Sequence, residues 1–161
     1  MVRKKIEFTA EGLENIQKEY ADLKKQRVSA VEELTVARDM GDRSENAAYK
    51  SARWKLSSID RRTRALERTL KNAIVVNRPF TGMVDIGCQV TIVNQNTQFV
   101  YTIVGSYESN IGEGKLSIRS PIGSALLGKK VGERVSVFTP KGIVGYLILN
   151  ISSANYAKIK V

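Results

Sequence analysis

The chain has 161 residues, 42% hydrophobic and 26% charged, enough for one moderate domain or two small ones. It has no histidine and one cysteine, Cys88, which excludes imidazole acid–base chemistry, Ser-His and Cys-His dyads, an internal disulfide framework and a cysteine-rich zinc site. Its 26 lysines and arginines against 16 acidic residues leave a net charge of +10, a balance suited to a polyanionic partner.

No run of about 18 apolar residues occurs, so no membrane span is expected. The start, Met1-Val-Arg-Lys-Lys, lacks the apolar stretch of a signal peptide, and a cytoplasmic location is expected. Residues 1–78 contain no proline and only Gly12 and Gly41, whereas residues 79–161 hold all three prolines and the other ten glycines. The first part reads helical and the second β-rich, with a short linker near Asn77-Arg78-Pro79-Phe80-Thr81-Gly82.

In the first part, Leu13, Ile16, Tyr20, Leu23, Arg27, Ala30, Leu34 and Ala37 step alternately by three and four. Tyr49, Ala52, Leu56, Ile59, Thr63, Leu66, Leu70 and Ala73 do the same after Gly41. Each set is a heptad seam, with Arg27 and Thr63 as its polar members. The connection is short enough to force two helices antiparallel, each thirty residues or roughly 45 Å long. A dimerising coiled coil would use the same heptads. An antiparallel hairpin satisfies its own seam and leaves a free tip, and a monomer is expected.

The tip runs Arg38-Asp-Met-Gly-Asp-Arg-Ser-Glu-Asn-Ala-Ala-Tyr49, with the acidic part at 41–46. Gly41 suits the left-handed residue that closes a helix. Asp42 and Glu45, three apart, have two readings. They can form a capping pair that accepts from orphan backbone N–H groups. They can also hold a hard cation such as Mg²⁺, which often takes one or two carboxylates and completes its shell with water and phosphate.

In the second part, alternating runs at Gln89–Val93, Phe99–Val104, Lys115–Ile118, Arg134–Phe138 and Gly145–Leu149 predict five strands. Asn94-Gln-Asn, Asn110-Ile-Gly-Glu-Gly and Pro140-Lys-Gly are turn signals between them. Pro121-Ile-Gly-Ser-Ala-Leu-Leu-Gly128 predicts a short helix closed by Gly128.

The segment Gly41-Asp-Arg-Ser-Glu-Asn-Ala-Ala-Tyr49 resembles the tip signature of the GreA/GreB bacterial transcript-cleavage factors. The resemblance extends to Thr9-Ala-Glu-Gly-Leu13, Ile59-Asp-Arg-Arg-Thr-Arg-Ala-Leu66, Ile103-Val-Gly105, Leu116-Ser-Ile-Arg-Ser-Pro121, Ala125-Leu-Leu-Gly128 and Val131-Gly132. It covers nearly the whole chain. Gly-Asp-Arg-Ser-Glu-Asn and Ile-Asp-Arg-Arg-x-Arg are closer to the GreB type. Two positions depart from the family pattern: Ala48 replaces an acid common beside the tip, and Gly123-Ser124 replaces a small residue followed by arginine.

The resemblance implies an α+β protein: an N-terminal antiparallel coiled-coil hairpin over 1–78 and a C-terminal FKBP-like β-sheet domain with one short helix over 79–161. It implies that the second domain docks on bacterial RNA polymerase, with Ser120, Pro121 and Ile122 as the docking segment. The hairpin then enters the secondary channel and carries its tip to the polymerase active centre. There Asp42 and Glu45 are the catalytic pair, helping to hold Mg²⁺ in a site shared with polymerase; the isolated chain is expected to bind none. Asn46 and Tyr49 support the tip. The outcome is cleavage of the 3′ end of backtracked nascent RNA by a nuclease site that belongs to polymerase. Two-metal phosphodiester chemistry of this kind asks for charge and positioning and needs no histidine.

At 100° per residue, Lys50, Arg53, Arg61, Arg64, Arg68 and Lys71 fall within an arc of about 80° on the second helix, roughly opposite its seam. They are six of the eight basic residues between positions 50 and 71, and such a row suits RNA phosphates. Trp54 flanks this stripe, either to stack on a base or to pack, partly buried, against the stems of Lys50 or Leu56. Two other functions compete with cleavage stimulation. One is a regulator or inhibitor in the same channel, against which the retained Asp42 and Glu45 argue. The other is a prolyl isomerase, suggested only by fold and without an aromatic pocket set in residues 79–161.

Overall fold

The computed structural model describes residues 5–40, 46–140 and 142–153. Packing divides the chain into two units: Glu14–Asn72, and the residues up to Leu13 together with those from Ala73 onward.

The first unit is the helical hairpin. Helix α1 spans Ala10–Asp39, 30 residues, and α2 spans Ala47–Leu70, 24 residues, or roughly 36 Å at 1.5 Å per residue. The heptads bury as read. Ile16, Ala30 and Ala37 are buried from α1, as are Ala52, Ile59 and Leu66 from α2, and the other apolar seam positions in the helices are half-buried. Cross-helix ion pairs flank the seam: Arg62 with Glu19 at 2.6 Å, Arg27 with Asp60 at 2.8 Å, and Lys55 with Glu33 at 2.8 Å. Their order rises on one helix and falls on the other, so the helices are antiparallel. The polar seam position Arg27 is thereby explained, since its guanidinium lies across the groove on Asp60. Thr63 satisfies its hydroxyl within α2 by donating to the Ile59 carbonyl at 2.8 Å. The second helix is shorter than thirty residues, and Ala73, the last position of its heptad, opens a strand.

In the second unit, β1 (Ile6–Phe8) and β2 (Ala73–Val75) form a two-stranded parallel pair. The other strands are β3 (Cys88–Asn94), β4 (Thr97–Val104), β5 (Lys115–Ser117), β6 (Arg134–Thr139) and β7 (Gly142–Ser153). They make one sheet of order β5-β4-β3-β7-β6, antiparallel except for β4 with β5. Helix α3 (Pro121–Leu126) packs on it, and Gly128 follows at φ 75°. Val84, Val90, Ile92, Ile103, Leu116, Leu126 and Ile148 form the core, with Phe99, Tyr101 and Tyr146 along its margin. All five strands expected from alternation are present. The pair β1–β2 was not expected: three residues are too few for a period, and the partners lie far apart in sequence.

This pair changes the division of the chain. The break at 78/79 follows composition, but the packing breaks at 13/14 and 72/73. Phe8 is fully buried and stacks on Tyr107 at 6.0 Å, and Arg78, in the expected linker, bridges Glu7 at 3.0 Å and Asp85 at 2.9 Å. A Cβ on Gly105 would stand 2.1 Å from the Glu7 carbonyl oxygen, so only glycine lets β1 lie this close.

Candidate functional site at the hairpin tip and basic face

Helix α2 begins at Ala47 because Asn46, with extended backbone, is its N-cap. The Asn46 Oδ1 accepts from the Tyr49 N–H at 3.0 Å, and its Nδ2 donates to the Ala37 carbonyl at 2.7 Å. One side chain thus satisfies a donor of the second helix and an acceptor of the first. The cap sits immediately before the first helical residue, so in α2 it is Asn46, with Tyr49 at the third helical position. Asp42 and Glu45 themselves lie outside the described residues. Tyr49 is half-buried at its seam position.

Both ends of the Asn46 amide are hydrogen-bonded to backbone, and the side chain ties the start of α2 to Ala37 of α1. Among the described residues no group of three or more acidic or cysteine side chains could hold an ion. By residue type, the oxygen donors expected at the tip are the two carboxylates of Asp42 and Glu45. Hard oxygens in that number suit Mg²⁺, with the remaining positions left to water and phosphate.

On α2 and its end, Lys50, Arg53, Arg61, Arg64, Arg68 and Lys71 are all exposed. The other two basic residues, Lys55 and Arg62, are the ones drawn across the seam to α1. The hydrogen bonds that Arg62 donates to the Glu19 carboxylate hold its pKa above the ordinary value. In the stripe, among the described residues, only Lys71 has a carboxylate, Glu67 at 3.1 Å, while the Arg68 Nε donates to the Arg64 carbonyl at 3.2 Å. Among the described residues the side chains of Lys50, Arg53, Arg61 and Arg64 have no partner. Trp54 is 71% exposed, so it is not the partly buried aromatic that one reading expected.

In the β unit, Ser120 is the N-cap of α3. Its hydroxyl accepts from the Gly123 N–H at 3.0 Å and donates to the Ser117 carbonyl at 2.7 Å. Ile122 packs against the core. Pro121, at the first helical position, is the exposed member of the three. Sequence reasoning missed Glu108, whose carboxylate is hydrogen-bonded to Thr9 and to the Gly105 N–H. No local pattern could have found it, because Thr9 lies 99 positions away.

Residues 6–75 match the family model for the transcription elongation factor N-terminal domain, and residues 79–153 match that for the GreA/GreB C-terminal domain. The chain belongs to the GreA/GreB family of transcription elongation factors. It is 42% identical over 150 residues to the transcription elongation factor GreA of Amoebophilus asiaticus, covering 90% of this chain and 96% of that one. It is 41% identical over 153 residues to GreA of Caldanaerobacter subterraneus, covering 92% and 98%. Among solved structures, GreA factor homolog 1 of Thermus thermophilus aligns at 23% identity and a TM-score of 0.45, covering 92% of this chain and 99% of that one. In GreA/GreB terms the hairpin is the N-terminal domain. Among its described residues, and among those of the β unit, no helix is long and apolar enough to cross a membrane.

Proposed function

We propose that this GreA/GreB-family chain works in the secondary channel of bacterial RNA polymerase, where it stimulates Mg²⁺-dependent cleavage of the 3′ end of backtracked nascent RNA. The relatives are named transcription elongation factors. The observation that carries the finer reading is the Asn46 clasp. Asn46 caps α2 and ties it to Ala37, which supports reading Asp42 and Glu45 as metal carboxylates rather than as the cap of α2.

In this reading Asp42 and Glu45 would hold the ion with polymerase and the RNA phosphate. When bound, it supplies positive charge at the scissile phosphate and lowers the pKa of water. The chain's own residues position: the clasp sets the spacing of the helix ends, and the unpaired cations of α2 hold extruded RNA by its phosphates. The Pro121 end of α3 serves docking. The chain is not a nuclease alone; it completes a centre that belongs to polymerase.

The test is a purified backtracked complex with a 3′-extruded RNA, with and without this protein. Shortened RNA and restored extension are expected. Blocked extension with full-length RNA would make the chain a channel inhibitor instead.

A further inference from the structure

We propose that Trp54 is a stacking platform for one base of the single-stranded RNA whose phosphates its neighbouring cations hold. This rests on the RNA-contact reading of α2 and deepens it.

At 100° per residue, Trp54 lies about 170° from the centre of the seam, so its side chain projects away from α1. It is 71% exposed. Among the described residues no other ring or cation covers either face of the indole, and its N–H has no partner. Tyr20 on α1 shows the contrast, with the Lys24 ammonium 4.6 Å over its ring. A tryptophan usually buries about 150–250 Å². Here that surface is left to solvent at a position the hairpin core cannot use.

Its surroundings name the occupant. Arg53 is adjacent, Lys50 is one turn before it and Arg61 two turns after, about 6 Å and about 10 Å along the helix. None of the three is paired among the described residues. The two acids of α2 are both neutralised, Asp60 by Arg27 and Glu67 by Lys71. A free aromatic face inside an uncompensated positive field matches a ligand with a negative backbone and flat bases. Stacking tolerates any base, as a factor acting on many transcripts requires.

The chain's single tryptophan makes the test direct. The full-length protein is titrated at low salt with a twelve-nucleotide oligoadenylate RNA and, separately, with inorganic polyphosphate of similar charge, reading tryptophan emission and affinity. RNA should quench the emission and polyphosphate should not. Trp54→Ala should weaken RNA binding roughly tenfold, Trp54→Phe much less, and neither should alter polyphosphate binding. Equal quenching by both ligands, or unchanged RNA affinity in Trp54→Ala, would overturn the stacking role. If Arg61→Glu with Arg64→Glu still weakens RNA binding in that case, the basic face stands without the tryptophan. If RNA binds neither protein, both readings fall. If Trp54→Ala instead weakens binding to polymerase that holds no extruded RNA, the indole meets protein and the proposal is wrong.

Discussion

Glu108 reaches Thr9 across 99 positions and holds it twice: its carboxylate accepts from the Thr9 N–H at 2.9 Å and from the Thr9 hydroxyl. The same carboxylate accepts from the Gly105 N–H at 3.1 Å. The Thr9 hydroxyl in turn accepts from the Gly12 N–H at 3.0 Å in the first turn of α1. A negative group at this helix start also suits the helix dipole. Glu108→Ala should therefore destabilise the β unit and the root of α1 by roughly 2–3 kcal/mol, since it removes partly buried bonds to a charged acceptor. Glu108→Gln, which keeps an acceptor, should lose less. Thermal melts of the three proteins check this, and identical midpoints would show that solvent replaces the carboxylate freely.

Capping and cleavage should separate at the tip. Asp42→Asn and Glu45→Gln should leave helix content and melting unchanged, because Asn46 is the cap, while cleavage falls by roughly 10²-fold, the scale of one lost preorganised electrostatic contact. Asn46→Ala should do the reverse in stability, costing about 1 kcal/mol or more through the lost cap and the freed Ala37 carbonyl. Circular dichroism paired with the backtracked-complex assay separates the two. Near-parental cleavage in the folded double variant of Asp42 and Glu45 would end the catalytic reading.

The basic residues of α2 should sort by partner. Arg62→Glu faces Glu19 across the seam and should loosen the hairpin. Arg61→Glu and Arg64→Glu break no ion pair and should leave melting within about 0.5 kcal/mol of the parent. Their effect should fall on RNA: cleavage of deeply backtracked complexes weakens most at low salt, and the gap to the parent narrows as salt rises, because phosphate contacts are linked to counterion release. Equal activity on long and short extruded RNA at every ionic strength would return these residues to a solvated helix face.

Cys88 is buried, and burial pushes its thiol pKa up from the ordinary value. Alkylation in the folded protein should be slow at pH 8 and become fast on unfolding. The unfolded chain then releases the thiol proton at lower pH than the folded one. The stability linked to this group is therefore complete below the ordinary thiol range and declines as pH rises through it. Thiol titration and melting between pH 7 and pH 10 measure both effects. Rapid alkylation of the native protein would show that this part of the core opens readily.

Shortening the hairpin should test the docking unit better than cutting at 78/79. The cut removes β1, β2 and Thr9, leaving the Glu108 carboxylate without two of its donors. Replacing residues 27–60 by a short turn keeps all of them. That shortened chain should compete with the full-length protein for polymerase and fail to stimulate cleavage. Loss of competition in the folded product would move the anchor from the Pro121 region to the hairpin.

The sequence by itself determined what depends on short repeats. Heptads from Leu13 to Leu70 specified two paired helices, because burying one face of a helix needs only a period of 3.5 residues. Alternation specified the five strands of the large sheet, and Gly41-Asp-Arg-Ser-Glu-Asn46 marked the tip. The family followed from motifs spread over the chain. Only the tertiary structure decided which residue does which job. Asn46 is the cap of α2, a role the sequence pattern had offered to Asp42 and Glu45, because the helix begins at Ala47. The helical period had set Arg61 and Arg64 apart from Arg62 and Lys55, but that Arg62 and Lys55 pair with Glu19 and Glu33 was decided by the partner helix, whose facing residues no period of α2 can name. The β1–β2 pair and the Glu108–Thr9 bonds carry no local signal at all. They join segments distant in sequence, and backbone pairing leaves no mark in either segment alone until the chain is folded.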